Sequence, residues 1–93
     1  MVTGILEVEL FIPESGSLKH KRSAIKSIKE RVRTRFNVSI AEVEHMELWQ
    51  RAILGIACVS NESQQIDRVL SNVLNLIDGD RRVEVLRSNI RFL

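Results

Sequence analysis

Five basic side chains recur at intervals of three and four residues early in the chain, at Lys19, Arg22, Lys26, Lys29 and Arg33. Because an α-helix turns by about 100° per residue, this spacing places all five on one contiguous stripe of a helix surface. Ammonium and guanidinium groups in a row can bind the phosphates of a nucleic-acid backbone. The chemistry that this basic stripe favours is therefore the binding of a polyanion.

The whole segment around the basic stripe is positively charged. Residues 19–35 contain eight of the 14 Lys and Arg and a single acid, Glu30, whereas the other residues contain six basic groups and eleven acids. The net charge of +2 thus divides into a +7 segment and a −5 body. Like charges at helical spacing cost about 0.2–0.5 kcal/mol per pair in an isolated helix, and a bound polyanion would relieve that cost. A charged face that is merely solvated is the alternative interpretation.

The predicted nucleic-acid-binding residues are the basic stripe and one further lysine of the first helical turns. They are Lys19, Lys21, Arg22, Lys26, Lys29 and Arg33, with additional contacts predicted from His20, Arg31, Arg35 and Arg51. Cations at the start of a helix oppose its dipole, and a phosphate bound there would stabilise them. For Arg51, an ion pair with a carboxylate of the neighbouring strand is an equally good interpretation.

The first predicted strand carries acids on one of its faces. Alternation along residues 2–12 places Glu7 and Glu9 on the same face as Phe11. Carboxylates repel phosphates, and RNA binders that use a sheet of this kind stack bases on aromatic side chains. The sequence therefore predicts that RNA contacts run through the helix and not through the sheet.

No arrangement of residues that would support catalysis or metal binding is evident. The loop at residues 13–18 has one Gly and no Arg, which is a weak match to a phosphate-cradling loop. The single cysteine, Cys58, cannot form a metal-binding pair, and it is predicted to be a buried apolar residue. Ser15 and Ser17 lack a His–acid pair, and His45 with Glu47 is interpreted as a polar strand edge. We therefore predict no enzymatic activity, no metal and no cofactor.

Apolar periodicity predicts the elements that must position the basic stripe. A helix from Leu18 to about Phe36, with Ser17 as its N-cap, follows the strand at 2–12. Two strands at 38–44 and 48–59 come next, then a helix capped by Asn61 and Gln64 that ends at 78–80, and a last strand from Val83 to about Phe92. The order βαββαβ predicts one α+β, ferredoxin-like domain over residues 1–93. Right-handed crossovers predict two helices on one face of an antiparallel sheet of order 4-1-3-2.

The third strand is apolar at consecutive positions, from Ala52 to Val59. This pattern is typical of a strand that is covered on both faces. Trp49, at the start of the predicted strand, is interpreted as a core residue, with an interface residue as the alternative. Pairing of two copies through the sheet face or an edge strand is a further hypothesis.

The overall composition limits the cellular setting. No apolar run reaches the length of a membrane span, and the first residues lack the pattern of a signal peptide. One cysteine excludes an internal disulfide. We predict a cytoplasmic protein with no membrane partner.

Three stretches together resemble the YlxP-like family of small bacterial proteins of unknown function. They are SLKHKR at 17–22, RFNVSIAEV at 35–43 and LWQRAILG at 48–55. Between the two lysines of the first stretch, the family pattern has an acid where this chain has His20, which makes the helix start more basic. The resemblance implies a ferredoxin-like fold. It also implies a link to translation, because genes of this family often lie among those for transcription elongation, translation initiation and ribosome maturation factors.

Three functional hypotheses follow, in order of preference. The first is a non-enzymatic RNA- or ribosome-binding accessory protein, linked to translation or ribosome maturation, that binds the phosphate backbone through its first helix. The second is a protein–protein interaction module or homodimer with no nucleic-acid role. The third is an enzyme that acts on a small phosphorylated ligand.

Overall fold

The structure, a computed structural model, describes residues 1–93 as one four-stranded antiparallel sheet with two helices. The elements are β1 (Val2–Phe11), α1 (Leu18–Arg35), β2 (Ser39–Glu44), β3 (Arg51–Ser60), α2 (Ser63–Asp78) and β4 (Glu84–Phe92). The strand order is β2-β3-β1-β4. Read from the other edge this is 4-1-3-2, so the predicted ferredoxin-like fold and strand order are confirmed.

The core lies between the sheet and the two helices. Every second residue of a strand points to the same face, and Leu6, Val8 and Leu10 of β1 are fully buried there. Helix residues spaced three and four apart cover them. Cys58 belongs to this core, as predicted, and burial raises the pKa of its thiol. Because both helices cover one face, each strand presents its alternate residues to the other side.

The second face of the sheet, here called the open sheet face, has no helix over it. It carries Ile5, Glu7, Glu9 and Phe11 of β1, and β3 contributes Arg51, Ile53, Gly55, Ala57 and Val59. The prediction that the third strand is covered on both faces is therefore wrong for the single chain. Val59 is 62% exposed, because nothing in this chain packs against it.

The third strand also begins later than predicted. β3 starts at Arg51, and residues 45–50 form a loop. His45 has a φ of 65°, in the left-handed region, and the Leu48 N–H donates to the His45 carbonyl at 3.0 Å. This turn directs Trp49 outwards, so that it is 54% exposed and is not a core residue.

The start of α2 differs from the prediction as well. The N-cap is Glu62 and not Asn61, and no side chain caps the helix. Asn61 Oδ1 instead accepts from Ser60 Oγ at 3.5 Å, and that hydroxyl accepts the Glu62 N–H at 3.2 Å. The local side-chain contact replaces the predicted capping box.

Candidate nucleic-acid interface

The basic stripe lies along α1 as predicted. Lys29 is half-buried, and the other four members are exposed. None of the five lies within ion-pair distance of a carboxylate, in a chain whose other Lys and Arg side chains form six such pairs. From Lys19 to Arg33 the stripe extends for about 21 Å. It is thus a row of cations with no carboxylate partner within the protein.

The stripe lies on the flank of α1 that faces the edge strand β2. Arg33 Nη2 donates to the Ile40 carbonyl of β2 at 3.1 Å. This contact orients the last guanidinium without neutralising it. The edge strand is thereby joined to the helix, which limits pairing with a further strand on that side.

The first turn of α1 is formed as the sequence predicts. Ser17 has an extended backbone, and its hydroxyl accepts the His20 N–H at 3.0 Å. No acid lies in this turn, and the His20 side chain is exposed. Lys19, the exposed lysine of this turn, therefore has no acid within the turn to offset its charge.

Lys21 does not belong to the exposed surface, and its prediction as a nucleic-acid contact is wrong. Its side chain is fully buried, with Nζ 2.8 Å from Glu42 Oε2 of β2. The ammonium also donates to the carbonyls of His45 at 2.6 Å and Arg51 at 3.0 Å. It therefore holds the two ends of the loop at residues 45–50 against the helix.

A signal for this role was present in the sequence. Lys21 lies three residues after Leu18 and four before Ile25, in register with the apolar stripe that continues through Ile28 and Val32. A lysine at an apolar position of a helix points into the interior, where it requires a partner. Spacing alone therefore separates Lys21 from the basic stripe.

Arg31, a predicted additional contact, has a structural partner. Its Nη1 lies 3.1 Å from Oδ2 of the buried Asp80, at the start of the turn before β4. Arg82 bonds the same carboxylate, with Nη2 at 2.6 Å from Oδ2. Hydrogen bonds from Arg82 are the main cause that lowers the pKa of Asp80, with Coulomb attraction to Arg31 adding to them. Arg35, by contrast, is exposed and has no carboxylate partner.

Arg51 forms the ion pair that was one of its two interpretations. Its guanidinium bonds Glu9 Oε2 of the adjacent strand β1, and Arg87 of β4 lies 3.2 Å from Glu9 Oε1. The Arg51 hydrogen bond is the largest cause of a lowered pKa for Glu9. On the same face, Arg91 lies 3.4 Å from Glu7 Oε1. Sequence reasoning missed Arg87 and Arg91, because the register of β4 against β1, with its shift between Glu9 and Leu10, is decided only by the fold.

No group of three His, Cys, Asp or Glu side chains is placed to hold a metal ion. Neither helix combines the length and apolar character that crossing a bilayer requires. The basic stripe is the candidate site that the geometry brings together, whereas Arg35 lies beside Arg31 on the other flank of α1.

Comparison with known proteins places the chain in a family. Residues 3–90 match the family model described as "Protein of unknown function (DUF503)". The chain is 43% identical over 81 residues to the uncharacterized protein YlxP of Bacillus subtilis (strain 168). The aligned region covers 87% of this chain and 88% of that protein. Among solved structures it is similar in fold to the de novo designed protein Foldit4, with a TM-score of 0.56, 17% identity and coverage of 100% and 97% of the two chains. The predicted YlxP-like resemblance is therefore confirmed, and the chain belongs to the DUF503 family of proteins of unknown function.

Proposed function

We propose that this protein is a non-enzymatic accessory protein of the bacterial cytoplasm that binds RNA or a ribosomal particle through α1. The observation that carries the proposal is the row of five cations along about 21 Å of one helix with no carboxylate partner. The resemblance to YlxP-like proteins, whose genes lie among those for translation factors, favours a ribosomal partner over DNA.

The mode of binding follows from the chemistry of the basic stripe. Lys and Arg side chains on one helix flank contact phosphates, which position a protein on a nucleic acid but do not read its sequence. Each phosphate that is neutralised releases counterions, so affinity falls as salt rises. The proposal therefore requires binding that is strongly salt-dependent and only weakly dependent on sequence.

Replacing Lys26, Lys29 and Arg33 with Ala is the direct test. In co-sedimentation with ribosomal subunits, the parent should pellet with the particles at about 50 mM salt and dissociate at about 200 mM. The triple variant should bind more weakly, and its slope of log affinity against log salt should be shallower by about 2 to 3. The physical reason is the loss of three phosphate contacts.

A control with the same change of net charge separates the stripe from general attraction. Arg68, Arg81 and Arg91 lie off α1, and their replacement with Ala removes three positive charges elsewhere. This control should retain most of the affinity of the parent. Equal binding by the parent and the stripe variant would contradict the proposal, and so would equal losses in both variants.

A homodimer through the open sheet face is the second candidate, favoured by the apolar residues that lie uncovered there. Val43 and Val59 are 46% and 62% exposed, beside the small residues Gly55 and Ala57. Glu7 and Glu9 at the centre of this face are paired within the chain, which lowers the repulsion between two identical faces. Sedimentation equilibrium should then give about twice the monomer mass of 10.7 kDa, and Val59→Asp should restore the monomer. A parent that stays monomeric at high concentration contradicts this candidate.

A further inference from the structure

The loop between β2 and β3 exposes apolar side chains that the fold does not use. Met46, Leu48 and Trp49 are 52%, 46% and 54% exposed. Trp49 is the only tryptophan of the chain. A large aromatic side chain held at the surface usually serves a contact with another molecule, because burial would otherwise stabilise it.

The loop that carries Trp49 is held at both of its ends. Lys21 Nζ donates to the carbonyls of His45 and Arg51, and the Ile12 N–H donates to the Gln50 carbonyl at 2.8 Å. The Gln50 side chain also donates to the Pro13 carbonyl at 3.1 Å. Trp49, next to Gln50, is therefore presented on a fixed backbone, which lowers the entropy lost when a ligand stacks on it.

Trp49 lies at the end of the molecule where α1 begins. It lines a surface hollow of about 520 Å³ together with Ser15 and Gly16, the residues that precede the N-cap Ser17. No atom lies within 4 Å of where a side chain on Gly16 would project, so the hollow is open on that side. Lys19, the first member of the basic stripe, lies two residues after Ser17, in the first turn of α1. An RNA backbone that follows the stripe past Lys19 would reach the end of the molecule where this hollow lies.

We propose that Trp49 stacks an unpaired base of an RNA whose phosphates lie along the basic stripe. The proposal rests on the proposed function and adds to it a class of RNA, one with unpaired nucleotides. Stacking on an indole needs a free base face, which a fully paired duplex does not offer. The positive charge of the adjacent helix favours a nucleotide over an apolar peptide as the occupant.

The emission of Trp49 gives a direct readout, because the chain has no other tryptophan and no tyrosine. At about 50 mM salt, a single-stranded RNA of about 12 nucleotides is compared with a blunt duplex of the same sequence. The single strand should quench the emission, whereas the duplex should bind the stripe without quenching. Trp49→Ala should lower affinity for the single strand about 5- to 150-fold and leave duplex affinity within about twofold.

Two further variants make the result specific. Trp49→Phe retains a stacking ring and should keep part of the affinity for the single strand. Val59→Ala removes an exposed apolar side chain from the open sheet face. It should leave the affinity for the single strand and the affinity for the duplex unchanged. Because Trp49 is exposed and outside the core, both Trp49 variants should fold, which circular dichroism checks.

The possible failures separate the two proposals. Equal binding of both RNAs, no quenching and no effect of Trp49→Ala would overturn the stacking site and leave the proposed function in place. Quenching with no loss of affinity in Trp49→Ala would overturn it too. An emission change with protein concentration alone would mean that a second copy covers Trp49, which also overturns the stacking site. Absence of binding to either RNA or to ribosomal subunits would overturn both proposals.

Discussion

Replacing Lys21 with Met is expected to lower the free energy of unfolding by about 3 kcal/mol. The change keeps most of the apolar stem but removes the ammonium that lies 2.8 Å from Glu42. Glu42 Oε2 is buried and has no other polar partner, so its charge would be left uncompensated. The carbonyls of His45 and Arg51 would lose their donor as well. Because the Glu42 side chain is 14% exposed, hydration keeps the loss at the lower end of the range for broken buried pairs.

Urea unfolding followed by circular dichroism measures this change. Lys26→Met is the matched control, since it removes an exposed lysine of the same helix and should change stability by no more than about 0.5 kcal/mol. The double variant Lys21→Met with Glu42→Met should recover much of the loss, because it leaves no stranded charge. If Lys21→Met unfolds at the same urea concentration as Lys26→Met, the buried ion pair has no structural importance.

Replacing Gly4 with Ala is expected to destabilise the protein by about 2–3 kcal/mol. Gly4 lies on the central strand β1, where α2 packs against it. An added Cβ would overlap Ile66 Cγ2 and lie 3.2 Å from Leu70 Cδ1. Both side chains are fully buried, so the helix would have to move away from the sheet. The usual gain of about 0.4–1 kcal/mol from replacing Gly is too small to offset this overlap.

A second glycine provides the comparison for Gly4. A Cβ added at Gly16 would meet no atom within 4 Å, so Gly16→Ala should be neutral or slightly stabilising. In a double-mutant cycle, Gly4→Ala should cost less when Ile66 is also Ala, because the overlapping methyl group is absent. Thermal unfolding of the four proteins in the cycle gives the coupling. An equal cost of Gly4→Ala in both backgrounds would show that the close approach of α2 does not limit this position.

Several features of the candidate site were predictable from sequence because they depend on periodicity. The alternation of Leu6, Val8 and Leu10 identified a half-buried strand, and the spacing of Ile25, Ile28 and Val32 identified the buried side of α1. The same angular argument placed the basic stripe on one flank of that helix, where the structure has it. Element boundaries were less predictable: β3 begins at Arg51, after a turn in which His45 has a positive φ and its carbonyl accepts the Leu48 N–H.

The sequence by itself determined the order of the elements, the ferredoxin-like fold and the charge of the first helix, because these depend on periodicities of two and of about 3.6 residues along the chain. Only the tertiary structure decided which of these cations meets a carboxylate, and which carboxylate it is. It buried Lys21 against Glu42 and joined Arg31 to Asp80, while it left the five cations of the basic stripe without carboxylates. The physical reason is that spacing fixes the direction of a side chain on its own helix. The group that this side chain meets is fixed by the packing of segments that are distant in sequence.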